Sequence, residues 1–279
     1  MKFRGFTMLF LVLILPLLAP SAFADTAGIG AAAVYGVLGE AGVTNTGPSV
    51  IHGDVGGSIG TPSVTGFPPG LVVPPGVMST GSVTAFTNAT TAYNTAQGLL
   101  GAIDESGTNL GGLTLTPGVY EFDSSAQLTG TLLLDAKGSN TAQWTFQIGS
   151  KLTTASASSV KVIDAGAPGA FTGGITWAVG SAATLGTTTR FLGTIISIKG
   201  DVIQTGATIG CGRVISLDAS VTLDTNVIST PLDSCNVTAG VGGGGLGTGI
   251  IPPPPIPEPA TLLLVGCGMF CIVFVSRHT

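Results

Sequence analysis

Residues 193–202 have the sequence GTIISIKGDV, and residues 212–221 have the sequence GRVISLDASV. The two segments share glycine, isoleucine, serine and valine at equivalent positions, so that a unit of 19 residues repeats here. Each unit contains short runs of β-branched and aliphatic residues, which favour strands. A period near 19 fits one coil of a β-solenoid, in which each coil pairs with its neighbours and stacks its inward apolar residues in columns.

A second, weaker repeat supports the same interpretation. Residues 144–150 (WTFQIGS) resemble residues 175–181 (ITWAVGS), and short alternating segments bounded by glycine continue through the second half of the chain. Helix-period patterns are absent there, which argues against a β-α-β sheet. From the repeats alone, a β-solenoid and an antiparallel β-sandwich with coincidental similarity are both open.

One segment of the first half has a helical pattern. Between residues 83 and 102, alanine, phenylalanine, tyrosine and leucine recur at spacings of three and four, which predicts one amphipathic helix. The opposite side of this segment carries only uncharged threonine and asparagine, so the helix depends on docking its apolar side.

Both ends of the chain have the composition of export and sorting signals. Residues 1–24 combine Lys2 and Arg4, an apolar run and an Ala-Phe-Ala cleavage site, as in a signal peptide, and an uncleaved anchor is the alternative. Residues 238–256 form a glycine- and proline-rich linker after a domain at 25–237. The final segment, 257–279, contains Pro257, Glu258 and Pro259, an apolar run and Arg277.

This order resembles the Pro-Glu-Pro C-terminal (PEP-CTERM) sorting signal of Gram-negative bacteria. The resemblance implies processing by an exosortase-type enzyme and delivery to the cell surface or to the extracellular matrix. The chain would then contact a membrane only through its C-terminal transmembrane segment, and only transiently. A plain membrane anchor is the alternative, because the apolar run is near the lower limit for a spanning helix.

The charge content argues against one class of partner, and two cysteines suggest a disulfide. Charged residues make up 8% of the chain, and the formal net charge is −5, so a nucleic acid partner is not expected. Cys211 and Cys235 lie in the exported part, where an oxidising compartment favours a disulfide, and two buried thiols are the alternative.

Segments that carry a family resemblance run through most of the exported part. They are residues 43–48 (VTNTGP), 51–56 (IHGDVG), 66–70 (GFPPG), 110–120 (LGGLTLTPGVY), 128–132 (LTGTL), 144–150 (WTFQIGS), 176–181 (TWAVGS), 210–213 (GCGR) and 221–224 (VTLD). In this order they resemble the ice-binding-protein family of cold-adapted bacteria, algae and fungi. The resemblance implies a mainly β fold, a right-handed discontinuous β-solenoid (β-helix) with one long α-helix packed alongside.

The resemblance also implies a flat, threonine-rich face that contacts ice. Thr205-Gly-Ala-Thr208 matches a threonine pattern on the binding face of family members. Further candidates follow from their position in the repeats, although any single threonine in a strand can simply be β-favourable. The complete predicted face is Thr153, Thr154, Ser156, Thr184, Thr187, Thr189, Thr205, Thr208 and Thr222.

The sequence gives little support for an enzymatic function. His52 is the one histidine outside the terminal tail and lies in a glycine-containing turn sequence, and no cysteine–histidine cluster has zinc spacing. Glu121 and Asp123 lie two residues apart, but such a pair at a strand end is usually solvated. We therefore expect no enzyme, cofactor or metal site. The partner is expected to be the surface of an ice crystal or, alternatively, extracellular polysaccharide bound by a non-catalytic adhesin or scaffold of the biofilm matrix.

Overall fold

The computed structural model of the protein describes residues 28–61, 63–166 and 171–230. A short 3₁₀ helix (Gly30–Val34) precedes the first strand, and one α-helix, α1, spans Val83–Gln97. The strands, in chain order, are β1 (Tyr35–Gly39), β2 (Gly42–Asn45), β3 (Val50–His52), β4 (Asp54–Ile59), β5 (Val64–Thr65), β6 (Leu71–Val73), β7 (Met78–Gly81), β8 (Ile103–Asp104), β9 (Thr114–Leu115), β10 (Gly118–Phe122), β11 (Ala126–Leu128), β12 (Thr131–Asp135), β13 (Gln143–Ile148), β14 (Leu152–Thr154), β15 (Ser159–Ile163), β16 (Gly174–Val179), β17 (Ala183–Leu185), β18 (Arg190–Leu192), β19 (Thr194–Ser197), β20 (Asp201–Ile203), β21 (Thr208–Gly210), β22 (Val214–Ser216), β23 (Ser220–Leu223) and β24 (Val227–Ser229).

The strands form three parallel sheets, here called faces A, B and C. Face A has the strand order β7-β4-β1-β22-β19-β16-β13-β10-β8. Face B has the order β11-β14-β17-β20-β23-β2-β5, and face C has the order β6-β3-β24-β21-β18-β15-β12-β9. Successive strands such as β22, β23 and β24 lie on faces A, B and C in turn, so three strands make one coil. The predicted β-solenoid is confirmed, and the antiparallel sandwich is wrong because neighbouring strands pair in parallel.

The order of coils is discontinuous along the chain. The first strand, β1, pairs with β22 near the end of the described chain, and β2 and β3 pair in the same way with β23 and β24. Arg213 reinforces this junction, because its buried guanidinium donates hydrogen bonds to the carbonyl oxygens of Ala33 and Tyr35 at 3.0 and 3.2 Å. The N-terminal coil therefore stacks on the last coil.

The glycines that begin the sequence repeat are required by close backbone contact. A Cβ atom on Gly212 would lie 1.8 Å from the carbonyl oxygen of Gly193 in the preceding coil. Gly193 itself has a φ of +102°, in the region that favours glycine. It also separates β18, which ends at Leu192, from β19, which begins at Thr194.

Aromatic side chains stack through the interior along the solenoid axis. The rings of Phe146 and Trp177 are parallel, with centroids 3.8 Å apart, and Tyr120 and Phe191 extend the stack on either side. The indole nitrogen of Trp177 donates to the carbonyl oxygen of Leu192 at 3.0 Å, so its polar atom is satisfied in the core. The second sequence repeat therefore corresponds to two neighbouring coils, in which the aromatic residues Phe146 and Trp177 occupy paired positions.

Helix α1 packs lengthwise on face A and covers it. Its buried positions, including Phe86 and Ala89, contact Leu38, Ile196 and Ile215 on the outer side of that sheet. The Ser82 hydroxyl caps the N-terminus by accepting a hydrogen bond from the N–H of Ala85. The helix ends at Gln97, five residues before the predicted end, because Gly98 caps it there.

The predicted terminal segments lie outside the described residues. These are the signal peptide, the linker at 238–256, the sorting motif with Pro257, Glu258, Pro259 and Arg277, and the apolar run that would cross a membrane. In the described ranges, no helix has the length and hydropathy that crossing a membrane requires. Cys211 lies in the turn after β21, and Cys235 is not among the described residues, so their pairing stays a prediction.

A carboxyl group is buried at the corner between faces A and B. Asp201 is 1% exposed; its Oδ1 accepts a hydrogen bond from the N–H of Ala183 at 2.7 Å, and its Oδ2 lies 2.8 Å from the Ser197 hydroxyl oxygen. Loss of hydration on burial raises the pKa of Asp201 from 3.8 to about 7, although both hydrogen bonds oppose this shift.

Because the folded protein holds this proton more tightly than the unfolded chain, the contribution of Asp201 to stability is fully present below pH 3.8 and is lost as the pH rises through about 7. The slope contributed by one such group is at most about 1.4 kcal/mol per pH unit. We expect Asp201→Asn to remove this loss and to raise the melting temperature at pH 8. The measurement is the melting temperature of the original protein and of the variant at pH 4, 6 and 8. The exposed-site control Asp218→Asn should keep the original profile; an identical profile for Asp201→Asn would contradict the assignment.

The glycine contact between coils generates a second prediction. Gly212→Ala should lower the free energy of unfolding by about 2–3 kcal/mol, since its Cβ would overlap the backbone of the coil beneath. At Gly210 the nearest neighbour of an added Cβ would be the flexible end of Leu192, at 3.1 Å, and the nearest backbone atom would be 4.0 Å away. Gly210→Ala should therefore cost less than about 1 kcal/mol in the same denaturant titration. Equal losses for the two variants would show that the close approach is unimportant.

Candidate functional site

The three faces differ in what they present to solvent. Face A is covered by α1. On face C, the outward positions include exposed Lys161, Arg190 and Leu71, so that long and charged side chains project from it. Face B is the uncovered face whose central outward positions are short and uncharged, which makes it the candidate site.

One outward residue from each strand of face B forms a continuous row. Strand register aligns these residues side by side from β11 to β5. We call this set the threonine row: Gln127, Thr153, Thr184, Val202, Thr222, Thr44 and Thr65. At about 4.8 Å per strand the row extends for roughly 29 Å.

The row is held rigid from beneath. The residues that alternate with it, such as Leu152, Leu185 and Leu223, are 0% exposed and pack in the central core. Close packing fixes the backbone, and the branched Cβ atoms of threonine and valine restrict χ1. The row therefore presents methyl and hydroxyl groups in a nearly fixed pattern.

The threonine row itself carries no charged side chain. None of its seven residues is ionisable, and the buried Asp201 directly behind Val202 is shielded from solvent. Val202 is 41% exposed and stands between Thr184 and Thr222, so an apolar side chain of threonine's shape occupies the centre. In the described part of the chain, no group of three or more histidine, cysteine, aspartate or glutamate side chains could hold a metal ion.

The structure places the predicted face residues in four different settings. Thr153, Thr184 and Thr222 lie together in the threonine row. Ser156, Thr187 and Thr205 lie in the turns between faces B and C, where the Thr205 hydroxyl bonds to Asp224 at 2.5 Å. Thr208 lies on face C, in register with Arg190 and Val227.

Two of the predicted face residues are not on the surface at all. Thr154 and Thr189 are 3% and 0% exposed, and their hydroxyl oxygens lie 2.9 Å apart inside the corner between faces B and C. The Thr154 hydroxyl also accepts the N–H of Gly186, which leaves it fully engaged. The prediction that these two residues face solvent is wrong, because their hydroxyl groups satisfy backbone and side-chain partners in the interior.

The sequence reasoning missed four members of the row: Gln127, Val202, Thr44 and Thr65. The 19-residue repeat aligned Val202 with Val221, whereas the structure pairs Val202 with Thr222. The paired positions Ser216 and Val221 are one residue further apart than their partners Ser197 and Asp201, and a slip of one residue moves a side chain to the other side of the sheet. Thr44 was missed because β2 pairs with β23 from the far end of the chain, which no local spacing reveals, and Thr65 joins the row only through its pairing with Thr44.

Comparisons with known proteins agree with this architecture. The family model described as "Ice-binding-like" matches residues 37–229. An ice-binding protein from Nostoc sp. (strain HG1) is 48% identical over 204 residues, covering 72% of this chain and 73% of the relative. An ice-binding protein from Flavobacterium frigoris (strain PS1) is 33% identical over 221 residues, covering 74% of this chain and 77% of the relative.

Solved structures give the same result. The ice-binding protein of the Antarctic ascomycete Antarctomyces psychrotrophicus superposes with a TM-score of 0.65 at 38% identity, covering 72% of this chain and 96% of that one. An ice-binding protein from an Antarctic biological consortium gives a TM-score of 0.66 at 35% identity, covering 78% of this chain and 96% of that one. With the family model spanning the solenoid and these relatives sharing its sequence and fold, this chain belongs to the ice-binding-like family.

Proposed function

We propose that this protein binds ice crystals through the threonine row on face B and catalyses no reaction. The observation that supports this most directly is the unbroken alignment of seven uncharged side chains across seven strands, five of them threonine and one valine. The relatives named above are themselves called ice-binding proteins.

The chemistry of the row suits an ordered layer of water. Neighbouring positions repeat at about 4.8 Å across strands and about 6.6 Å along them, lengths of the order of the repeats in an ice lattice. Each threonine hydroxyl can hold one water molecule, while its methyl group keeps nearby water from forming competing hydrogen bonds. Little side-chain entropy is lost on binding, because the row is already ordered by the core beneath it.

The alternative function is adhesion to extracellular polysaccharide as a biofilm-matrix scaffold. Bulky or charged side chains on every face would favour that alternative. Face C has them at Lys161 and Arg190, whereas face B has one, Lys151, beside a threonine row that has none. This contrast favours ice as the ligand of face B.

We also propose that the protein acts outside the cell. The signal peptide at residues 1–24 and the PEP-CTERM-like segment at 257–279 support export across the inner membrane of a Gram-negative bacterium, followed by transient anchoring and exosortase-type processing. This placement would bring the threonine row into contact with external water. Detection of the mature domain in the matrix of cells with an exosortase, and its retention in membranes without one, would test the sorting step.

The ice-binding proposal predicts that one bulky residue in the row is enough to impair activity. Thr184→Tyr should lower thermal hysteresis by about three-fold or more, since an energy loss of even 0.7 kcal/mol has that effect on an equilibrium. The tyrosine ring would stand above its neighbours and prevent flush contact. The measurement is thermal hysteresis at matched protein concentration, together with inhibition of ice recrystallisation.

Thr208→Tyr is the matched control. It makes the same chemical change on face C, where Thr208 aligns with Arg190, and should leave both activities unchanged. Equal loss from the two variants would argue against face B as the site. Absence of both activities in the unmodified protein would end the ice-binding proposal itself.

A further inference from the structure

A second row of residues runs beside the threonine row on face B. Its members lie two positions before each residue of the threonine row: Gly42 and Ser220 pair within β2 and β23, and the other five directly precede their strands. Backbone hydrogen bonds from Ala126 to Lys151, from Leu152 to Ala182 and from Val43 to Ser63 continue the sheet pairing to these positions. We call them the second row: Ser125, Lys151, Ala182, Gly200, Ser220, Gly42 and Ser63. Six of these seven residues are serine, alanine or glycine, so the row is flat except at Lys151.

Flatness in the second row is partly enforced by the backbone. Gly42 has a φ of +126°, and a Cβ there would lie 2.6 Å from the carbonyl oxygen of Ser63. Its neighbour in the other direction, Ser220, is held in register by β23. From Ala182 to Ser63 the second row thus adds a strip of low side chains about 6.6 Å from the threonine row.

Lys151 is the next position after Ala182 and ends this strip, two residues before Thr153. Its main chain is fixed: the carbonyl oxygen accepts a hydrogen bond from Ala126, and the N–H donates to the Ser125 hydroxyl at 3.4 Å. Its side chain is exposed, and the ion pairs seen within the described ranges involve Lys137 and Lys199 rather than Lys151. A long stem with a strongly hydrated ammonium group therefore stands next to the row.

We infer that Lys151 limits the area of face B that contacts ice. In this arrangement both rows contact ice from β17 to β5, and at β14 the lysine holds the crystal away from the second row. Flush contact at β14 would require the ammonium to give up water and the stem to be immobilised, both of which oppose binding. This inference rests on the proposed ice-binding function and assigns a further determinant within the same face.

Two substitutions in opposite directions test the inference. Lys151→Ser should raise thermal hysteresis by about two-fold or more, because the second row then continues without a projecting cation. Ala182→Lys places the same obstacle one strand further along and should lower thermal hysteresis by about two-fold or more. Lys161→Ser, which removes an equal charge from face C, is the control and should leave activity unchanged. Thermal unfolding checks that each variant is folded, and Ser220→Lys replaces Ala182→Lys if that variant is not.

The outcomes separate this inference from the function on which it rests. Higher activity for Lys151→Ser with lower activity for the lysine-adding variant supports it. If Thr184→Tyr impairs activity but neither second-row change alters it, ice contacts the threonine row alone and the inference is overturned. An equal rise for Lys151→Ser and Lys161→Ser would overturn it as well, since net charge would then be the cause. If the unmodified protein shows no activity, the proposed function fails first.

Discussion

The in-register pairing of parallel strands from successive coils is the constraint on which the rest of the structure depends. It places residues of equal position one above another, so inward side chains become the apolar and aromatic columns of the core, and outward side chains become rows. The stacked rings of Tyr120, Phe146 and Trp177 and the threonine row are two results of the same geometry. A flat surface therefore needs no separate scaffold, because the register that packs the interior also spaces the exterior.

The three faces are chemically specialised although they share this register. Helix α1 covers the apolar outer side of face A, and the carbonyl oxygen of Ala178 in that sheet accepts a hydrogen bond from Gln97 near the helix end. Face C keeps Lys161 and Arg190 in solvent. Face B alone combines an uncovered surface with short side chains over its centre, and the buried Asp201 anchors its edge to the corner of the solenoid.

Much of the fold could be predicted from the sequence, because a 19-residue period, an amphipathic segment and a family resemblance each point to the same architecture. The site was predicted less well. Thr153 and Thr154 are adjacent in one strand, so the alternation of side chains permits only one of them to face outward. The predicted face included both because it was selected by residue type. Val202 was missed because one inserted residue shifts the local register. Thr44 and Thr65 depend on pairing between distant parts of the chain, which a single sequence does not encode locally.

That distant pairing has a consequence for how the protein is made. Synthesis delivers the N-terminal end first. Strands β1 and β2 can pair early with β4 and β5, but their second partners, β22 and β23, are made almost last. Contacts of such long sequence separation slow folding, since the loop between them must close before any stabilisation is gained. Until synthesis is nearly complete, the edge of β2 that later pairs with β23, including Thr44, stays unpaired. A shortened chain that stops before β22 would carry a truncated surface and exposed strands prone to aggregation.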